Sequence, residues 1–364
     1  MDFAVNVPLN SVSFGQVSIA ILKELKKKGH NPSIFPISEN VDLSTQEDNK
    51  DFTEWITRGI QKANRSHKRD MPTFKLWHIN GSLGSFSKNQ ILFTFYELDQ
   101  PTPEEVNIVK NNSKVLFSSS ETTQIYNFLG IDNVHTVPLG FDKDNFHTKE
   151  KTYFKDNRIT FNVVGKFEKR KHHQKLIKAW LKKYGNKEGY FLQISVFNPF
   201  IKPEDNQKVA TMLLENKKYF NVNFYGFMAK NSLYNDFLNS GDIILGMSGG
   251  EGWGLPEFHS VAMGKHAVIL NASAYKEWAN EKNSVLVDPC GKIPVYDNMF
   301  FQEGQPYNQG NIYNFDEDAF IEACEEAVKR TKSNRVNKEG LKLQEDFTYA
   351  KTTDAILKHL EDIQ

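Results

Sequence analysis

The densest chemical signal in the chain is a run of glycines around one acid. Gly249, Gly250, Gly252 and Gly254 surround Glu251 and Trp253, directly after the apolar stretch DIILGM and directly before LPEFHSVAMG. Pro256 suits the first turn of a helix that starts near Leu255. Backbone N–H groups at such a helix start, with no Cβ in the way, make an anion site, and phosphate is the natural guest. Glu251 is out of place there, because a carboxylate repels phosphate. It fits a loop that faces a neutral polyol, whose hydroxyls donate hydrogen bonds to it. The plainer alternative is a glycine-rich turn used for tight packing.

A second cluster is basic. GKFEKRKHH (165–173) opens another predicted helix and contains Lys166 and Lys171. Cations at a helix N-terminus oppose its dipole, so they point to an anion held beside them rather than to helix design. Taken alone, the stretch also reads as a solvated basic helix start. Two further groups each follow a predicted strand: His78 in WHINGS and Glu97 in FYELDQ. His78 is either a hydrogen-bonded structural histidine or a catalytic group. Glu97 is either a loop-capping carboxylate or an acceptor-side catalytic group. Tyr296, Phe300, Phe301, Tyr307 and Tyr313 crowd one segment, 291–315. They either stack on a sugar or base or pack the loop onto its own domain.

These residues need elements to hold them. The chain has 364 residues, which at roughly 150 per domain is two domains. FAVNVPL (3–9), a Ser/Gly loop at 10–16, an amphipathic stretch from 17 with Gly29 at its C-cap, and NPSIFPI form a βαβ unit. Strand patterns at 74–79 and 91–98, helix-start chemistry at Pro103 with Glu104 and Glu105, and the strand KVLFSSS continue the alternation. A charged stretch at 147–158 reads as a hinge, after which ITFNVVG, YFLQISV, NVNFYG, DIILGM, HAVILN and SVLVDP alternate with helical patterns. The final FTYAKTTDAILKHLEDI is an amphipathic helix. The expected architecture is α/β, with two doubly wound Rossmann-like domains facing across a cleft. The expected boundaries are 1–150, 151–343 and, for a C-terminal helix, 344–364. Ligands in such sheets sit outside the carboxyl ends of the strands.

Composition excludes several classes. The chain carries 45 Lys plus Arg against 45 Asp plus Glu. That balance gives no global pull toward nucleic acid or an acidic membrane, so a nucleic-acid acceptor has no support from charge. Two cysteines, Cys290 and Cys324, exclude a disulfide scaffold and a cysteine-based zinc cluster. The N-terminus lacks the basic start and apolar stretch of a signal peptide, and no apolar run is long enough to span a membrane. The expected location is cytoplasmic.

EGWGLPEFHSVAMGKHAVIL resembles the donor-site motif of the GT-B retaining glycosyltransferases of the large family 4 group, E-G-F-G-L-P-x-x-E-A-x-A-x-G-x-P-V. VVGKFEKRKHHQKLIKAW (163–180) resembles that family's G-R-x-x-x-x-K-G-x-x-x-L-I-x-A-F segment. VHTVPLGFDKDNF (134–146), the N-terminal VPLNSVSFGQVSIAILKELKKKGH and the terminal helix resemble further family segments in the same order. The resemblance covers nearly the whole chain. It implies a GT-B fold whose last helix crosses back to the first domain. It implies a metal-free transfer of a hexose or pentose from a nucleoside-diphosphate sugar, UDP- or GDP-linked, to an acceptor hydroxyl, with no other cofactor. By position, Lys166 stands where the family has Arg, and Lys171 matches the family Lys. Together they would clamp the diphosphate. Glu251 would face the donor sugar, and Gly250, Gly252, Trp253, Gly254 and Leu255 would offer backbone amides. Gly15 would sit under the diphosphate, and backbone near Tyr225, Gly226 and Phe227 would read the base.

Two positions depart from the family. Its second Glu, eight residues after the first, is His259 here, which as a neutral imidazole can still meet ribose hydroxyls. Glu257, two residues earlier, points about 200° away on a helix and does not substitute. The His that many relatives place after a first-domain strand is missing from ILFTFYELDQ, which leaves Glu97, with His78 as the other candidate. Two other readings stand beside the transferase: a non-catalytic nucleotide-sugar or glycan binding protein, and a nucleotide-sugar epimerase of the same fold. The acceptor is a glycan or another hydroxyl, a modified nucleic-acid base included.

Overall fold

The computed structural model describes residues 1–37, 40–150 and 156–364. Part of the expected hinge, 151–155, lies outside the described residues. The first half runs β1 (Ala4–Val7), α1 (Ser13–Lys27), β2 (Ser33–Pro36), α2 (Lys50–Ser66), β3 (Thr73–Leu76), β4 (Gln90–Thr94), α3 (Pro103–Lys110), β5 (Lys114–Phe117), α4 (Ser120–Phe128) and β6 (Val134–Thr136). Its six strands form one parallel sheet in the order β2-β1-β3-β4-β5-β6. The second half runs β7 (Ile159–Gly165), α5 (His173–Tyr184), β8 (Tyr190–Val196), α6 (Pro203–Leu213), β9 (Val222–Phe224), α7 (Asn231–Ser240), β10 (Ile243–Gly246), α8 (Leu255–Ala262), β11 (His266–Leu270) and β12 (Val285–Val287). These strands form a second parallel sheet in the order β12-β11-β10-β7-β8-β9. A parallel sheet is covered on both faces, so its strands read as continuous apolar runs. DIILGM and HAVIL are such runs, and β10 and β11 are buried throughout.

An antiparallel arm follows, β13 (Pro289–Pro294) and β14 (Asn311–Phe315). The chain ends in α9 (Glu317–Ser333), two short turns of helix at α10 (Lys338–Leu341) and α11 (Leu343–Asp346), and α12 (Tyr349–Glu361). The α12 helix lies against α1. Its approach is fixed where Phe141 N–H donates to Phe347 O at 2.9 Å and Thr352 Oγ1 donates to Pro138 O at 2.8 Å. A Cβ on Gly140 would stand 2.0 Å from Tyr349 N, so only glycine allows this crossing.

Three apolar clusters hold the halves. One runs from Val5, Phe74 and Phe93 through Phe141, Phe146 and Tyr349 to Phe258 and Trp278, and so crosses between the sheets. A second covers the outer face of the second sheet around Trp180 and Phe320. The third fills the outer face of the first sheet and takes in Val295, Phe301 and Ile312 from the arm.

Two local readings change. The helix expected after a loop at 10–16 begins at Ser13, which puts Gly15 inside its first turn. Asn10 Oδ1 accepts from Val12 N–H at 3.2 Å and steadies that start. The strand expected to reach residue 98 stops at Thr94. Residues 95–98 leave the sheet because Thr122 Oγ1 bonds Tyr96 O at 3.2 Å and Tyr96 Oη bonds Glu105 Oε2 at 3.2 Å.

Candidate active site

In a doubly wound sheet the crevice opens where the strand order reverses. In the second sheet that point lies between β7 and β10, which are direct neighbours. Both basic and glycine-rich segments leave the sheet there. After Gly165 the chain makes a single 3-10 turn at Lys169–Lys171, and His172 then takes a left-handed conformation, φ 54°, at the entry of α5. The family segment has Gly at this position, which the left-handed backbone explains. Here His172 holds it by bonding Tyr313 O through Nε2 at 2.8 Å. Across the switch point Gly254, φ 79°, caps the start of α8.

Arg170, which the sequence reading passes over, is the hub of the site. Its Nη2 lies 2.9 Å from Glu97 Oε1, its Nε 2.7 Å from Glu168 Oε2 and its Nη1 3.2 Å from Glu251 Oε1. Nη1 also donates to Gly250 O at 2.6 Å. Lys171 Nζ pairs with Glu251, and Lys166 Nζ pairs with Glu168. Three cations and three carboxylates thus interlock, with Glu97 alone coming from the first sheet. Burial raises the Glu251 carboxyl, but Lys171 and Arg170 outweigh it and hold its pKa below the usual range. Glu97 goes the other way: its enclosure in the cleft raises its pKa in spite of Arg170. Burial, helped by the Arg170 charge, lowers Lys166 to about 8. Its ammonium rests 4.1 Å from the ring centre of Phe300 and 5.2 Å from that of Phe200.

The glycine loop is walled on both sides. A Cβ would stand 2.1 Å from Tyr313 O at Gly249, 2.3 Å from Glu97 O at Gly250 and 2.5 Å from Phe95 Cβ at Gly252. These glycines therefore admit backbone from the arm and from the first sheet. Glu251 N–H donates to Ser273 Oγ at 3.0 Å, and Ser118 Oγ donates to Gly252 O. The Trp253 side chain is buried in the shared core, and its carbonyl accepts from Trp278 Nε1 at 2.9 Å. Leu255 begins α8, and its carbonyl is occupied by His259.

Of the remaining expected residues, His78 stands nearest the cluster, where burial and then the Lys166 charge lower its pKa. Gly15 faces Asn10, whose carbonyl would lie 2.1 Å from a Cβ there. His78 sits just beyond β3 with its ring 4.4 Å from Phe14. Gly226 and Phe227 lie past the end of the edge strand β9, and Phe227 is exposed. His259 lies on α8, between the two halves. It is buried, its Nδ1 bonds Leu255 O at 2.8 Å, and its Nε2 accepts from Asp142 N–H at 3.4 Å. Both ring nitrogens thus meet backbone atoms. In the aromatic segment one residue departs from the expectation, while Tyr313 does pack on its own half. Phe301 packs not onto its own half but into the core of the first sheet. Among the described residues no three His, Cys, Asp or Glu side chains cluster to hold a metal ion.

No protein-family model matches the sequence, and no curated protein matches it. Solved structures do. Sucrose-phosphate synthase from Thermosynechococcus elongatus has a TM-score of 0.74 at 12% identity, covering 100% of this chain and 98% of that one. HepE from Anabaena in complex with UDP-glucose has a TM-score of 0.66 at 14% identity, with both chains covered in full. The catalytic domain of starch synthase IV from Arabidopsis thaliana, bound to ADP and acarbose, has a TM-score of 0.66 at 10% identity, covering 100% of this chain and 99% of that one. The likeness spans both sheets and the cleft, and the fold is GT-B.

Proposed function

We propose that this chain is a retaining glycosyltransferase that moves a sugar from a nucleoside-diphosphate sugar to an acceptor hydroxyl. The observation that supports it most is the meeting of Arg170 and Lys171 with the start of α8 at the β7/β10 switch point, opposite Glu97. Charge grows on the diphosphate as its bond to the anomeric carbon breaks. Fixed cations in a water-poor cleft stabilise that charge without reorganising. They also supply the neutralisation that a metal ion supplies elsewhere, which is the basis for expecting no metal requirement. The acceptor oxygen then bonds the anomeric carbon on the face the diphosphate leaves, and its proton passes to the departing diphosphate oxygen. In this reading Glu251 takes the donor-sugar hydroxyls, and Glu97, with His78 as the other candidate, the acceptor side. Backbone at 225–227 is the proposed reader of the base. HepE binds UDP-glucose, which makes a UDP-linked sugar the first donor to try, with GDP-linked sugars next. The acceptor class remains a glycan or other hydroxyl.

The test is a thermal-shift series with UDP, GDP, ADP, CDP and their sugar conjugates, with and without EDTA. A ligand at 100 times its Kd stabilises by about 2.7 kcal/mol. A base-selective, EDTA-insensitive shift supports the donor site. Transfer to an acceptor is then read by NMR of the new anomeric proton. A flat response to every nucleotide refutes the proposal.

A further inference from the structure

Arg170 lies where no family position assigned a role, yet it is the cation with most partners in the cleft. The cation at the family's Arg position, Lys166, is turned toward Glu168 and the Phe300 ring. Two partners of Arg170, Glu168 and Glu251, belong to its own half and are nearly inaccessible, with side chains 2% and 6% exposed. The third, Glu97, comes from the other half, is 26% exposed, and meets only the Nη2 corner of the guanidinium. Nη1 meanwhile stays on Gly250 O, in the loop that leads into α8.

From this geometry, and resting on the glycosyltransferase reading above, we infer that Arg170 is a shared cation. It is latched to Glu97 across the closed cleft, and it is the guanidinium that a donor diphosphate takes over when Glu97 is displaced. A guanidinium fork fits carboxylate and phosphate oxygens alike, so the two anions compete for one corner. Glu97 is the partner that yields because it alone belongs to the opposite half, and its bond breaks whenever the halves part. Glu168 and Glu251 stay in place and keep the side chain aimed. Lys171, bound to Glu251, holds the second cation beside it. Glu97 therefore acts on donor affinity through Arg170 and opposes binding.

The experiment is isothermal titration of the full chain with UDP, GDP, ADP and inorganic pyrophosphate. Wild type is compared with Glu97→Gln, Arg170→Lys and the double variant, after near-ultraviolet circular dichroism has shown each to be folded. Arg170→Lys keeps the charge and is chosen over Ala, which leaves three carboxylates facing each other. Glu97→Gln is expected to tighten the diphosphate that binds by about five- to tenfold, and Arg170→Lys to weaken it by at least about tenfold. Because neighbouring groups that act through one another are non-additive, the double variant should match Arg170→Lys within about twofold. A gain in affinity from removing Glu97 is not an effect that a merely structural ion pair produces. Binding to Glu97→Gln alone, with none to wild type, also supports the latch. Wild-type binding with no gain in Glu97→Gln, or an equal gain in the Arg170→Lys background, overturns this inference and leaves the glycosyltransferase reading standing. No binding to either protein overturns both.

Discussion

The imidazole of His259 stacks on Phe146, ring centres 4.2 Å apart and planes 28° from parallel. The contact joins the last turn of α8 to the segment that leads out of the first half, and Asp142 N–H completes it. Burial lowers the His259 pKa to about 4, so the ring is neutral in the fold. An unfolded histidine titrates near 6.5. As pH falls below that value the unfolded state binds the proton first, and the fold loses stability until about pH 4. His259→Ala is expected to cost ~2–4 kcal/mol at pH 7, from lost packing and the orphaned Asp142 N–H. The variant should show a shallower loss of stability between pH 6.5 and 4 than wild type. Its affinity for nucleoside diphosphates should change by less than about threefold. Urea melts across pH and a nucleotide titration check both. A large affinity loss with unchanged stability would return His259 to the ribose.

Glu257 lies on the same helix, buried beneath the glycine loop with Tyr275 and Gly246 around its side chain. Burial raises its pKa to about 7; Lys171 opposes the shift and Glu251 adds to it. The folded-state value lies above the unfolded one, so the fold keeps the proton longer. Stability therefore falls as pH rises from about 4.5 and levels off above about 7. Glu257→Gln removes the charge that has to form. It should melt higher than wild type at pH 8 by up to ~3 kcal/mol, with little difference at pH 4.5. Equal stability differences at the two pH values would show that Glu257 does not titrate in this range.

The limits of sequence reading follow from where each signal resides. Buried parallel strands announce themselves, since a run such as IILGM needs no partner to be recognised. The loops at the β7/β10 switch point were legible for the same reason: glycines and cations sit next to one another in the chain. Arg170 and Glu168 lie in the same stretch, but in and just before a 3-10 turn with no side-chain period to separate an inward from an outward residue. Four cations within six residues, with one acid among them, was the available signal. The surroundings of His259 were not legible because its neighbours Asp142 and Phe146 come from more than 100 residues away. Phe301 was misread likewise, as nothing in an aromatic loop says which half it packs on.

Gly250 tests the closed cleft directly. A Cβ there would stand 2.3 Å from Glu97 O, which is backbone and cannot swing aside. Gly250→Ala is therefore expected to prop the halves apart by a fraction of an ångström and to loosen the Arg170–Glu97 pair. The Gly250 φ is not in the left-handed range, so the backbone itself tolerates alanine. The variant should keep its second-sheet core, losing only ~1–3 kcal/mol of overall stability. Its transfer rate should drop at least about tenfold, because misplacement of about 1 Å costs rate steeply. Steady-state transfer assays beside a urea melt separate the two effects. An unchanged rate would mean that the loop does not need its close approach to Glu97.

The arm makes the last case, because it decides whether the halves unfold together. Phe301, Val295 and Ile312 are buried among Leu92, Val109 and Phe117 of the first sheet. Polar bonds reinforce the seat: Asn308 N–H donates to Glu105 Oε1 at 2.9 Å, Asn311 N–H to Asp99 Oδ1 at 2.7 Å, and Lys292 pairs with Asp99 at 2.8 Å. A residue of the second half thus completes the core of the first, and the intact chain is expected to melt in one transition. Phe301→Ala removes a buried ring and should cost ~3–5 kcal/mol. The loss should fall on the first half, so the variant is expected to melt in two steps, with the second sheet holding longer. Calorimetry with tryptophan fluorescence follows both halves. Trp55 and Trp77 report the first and Trp180 and Trp278 the second. A single transition in Phe301→Ala, shifted but undivided, would place the coupling in α12 and the shared core instead of in the arm.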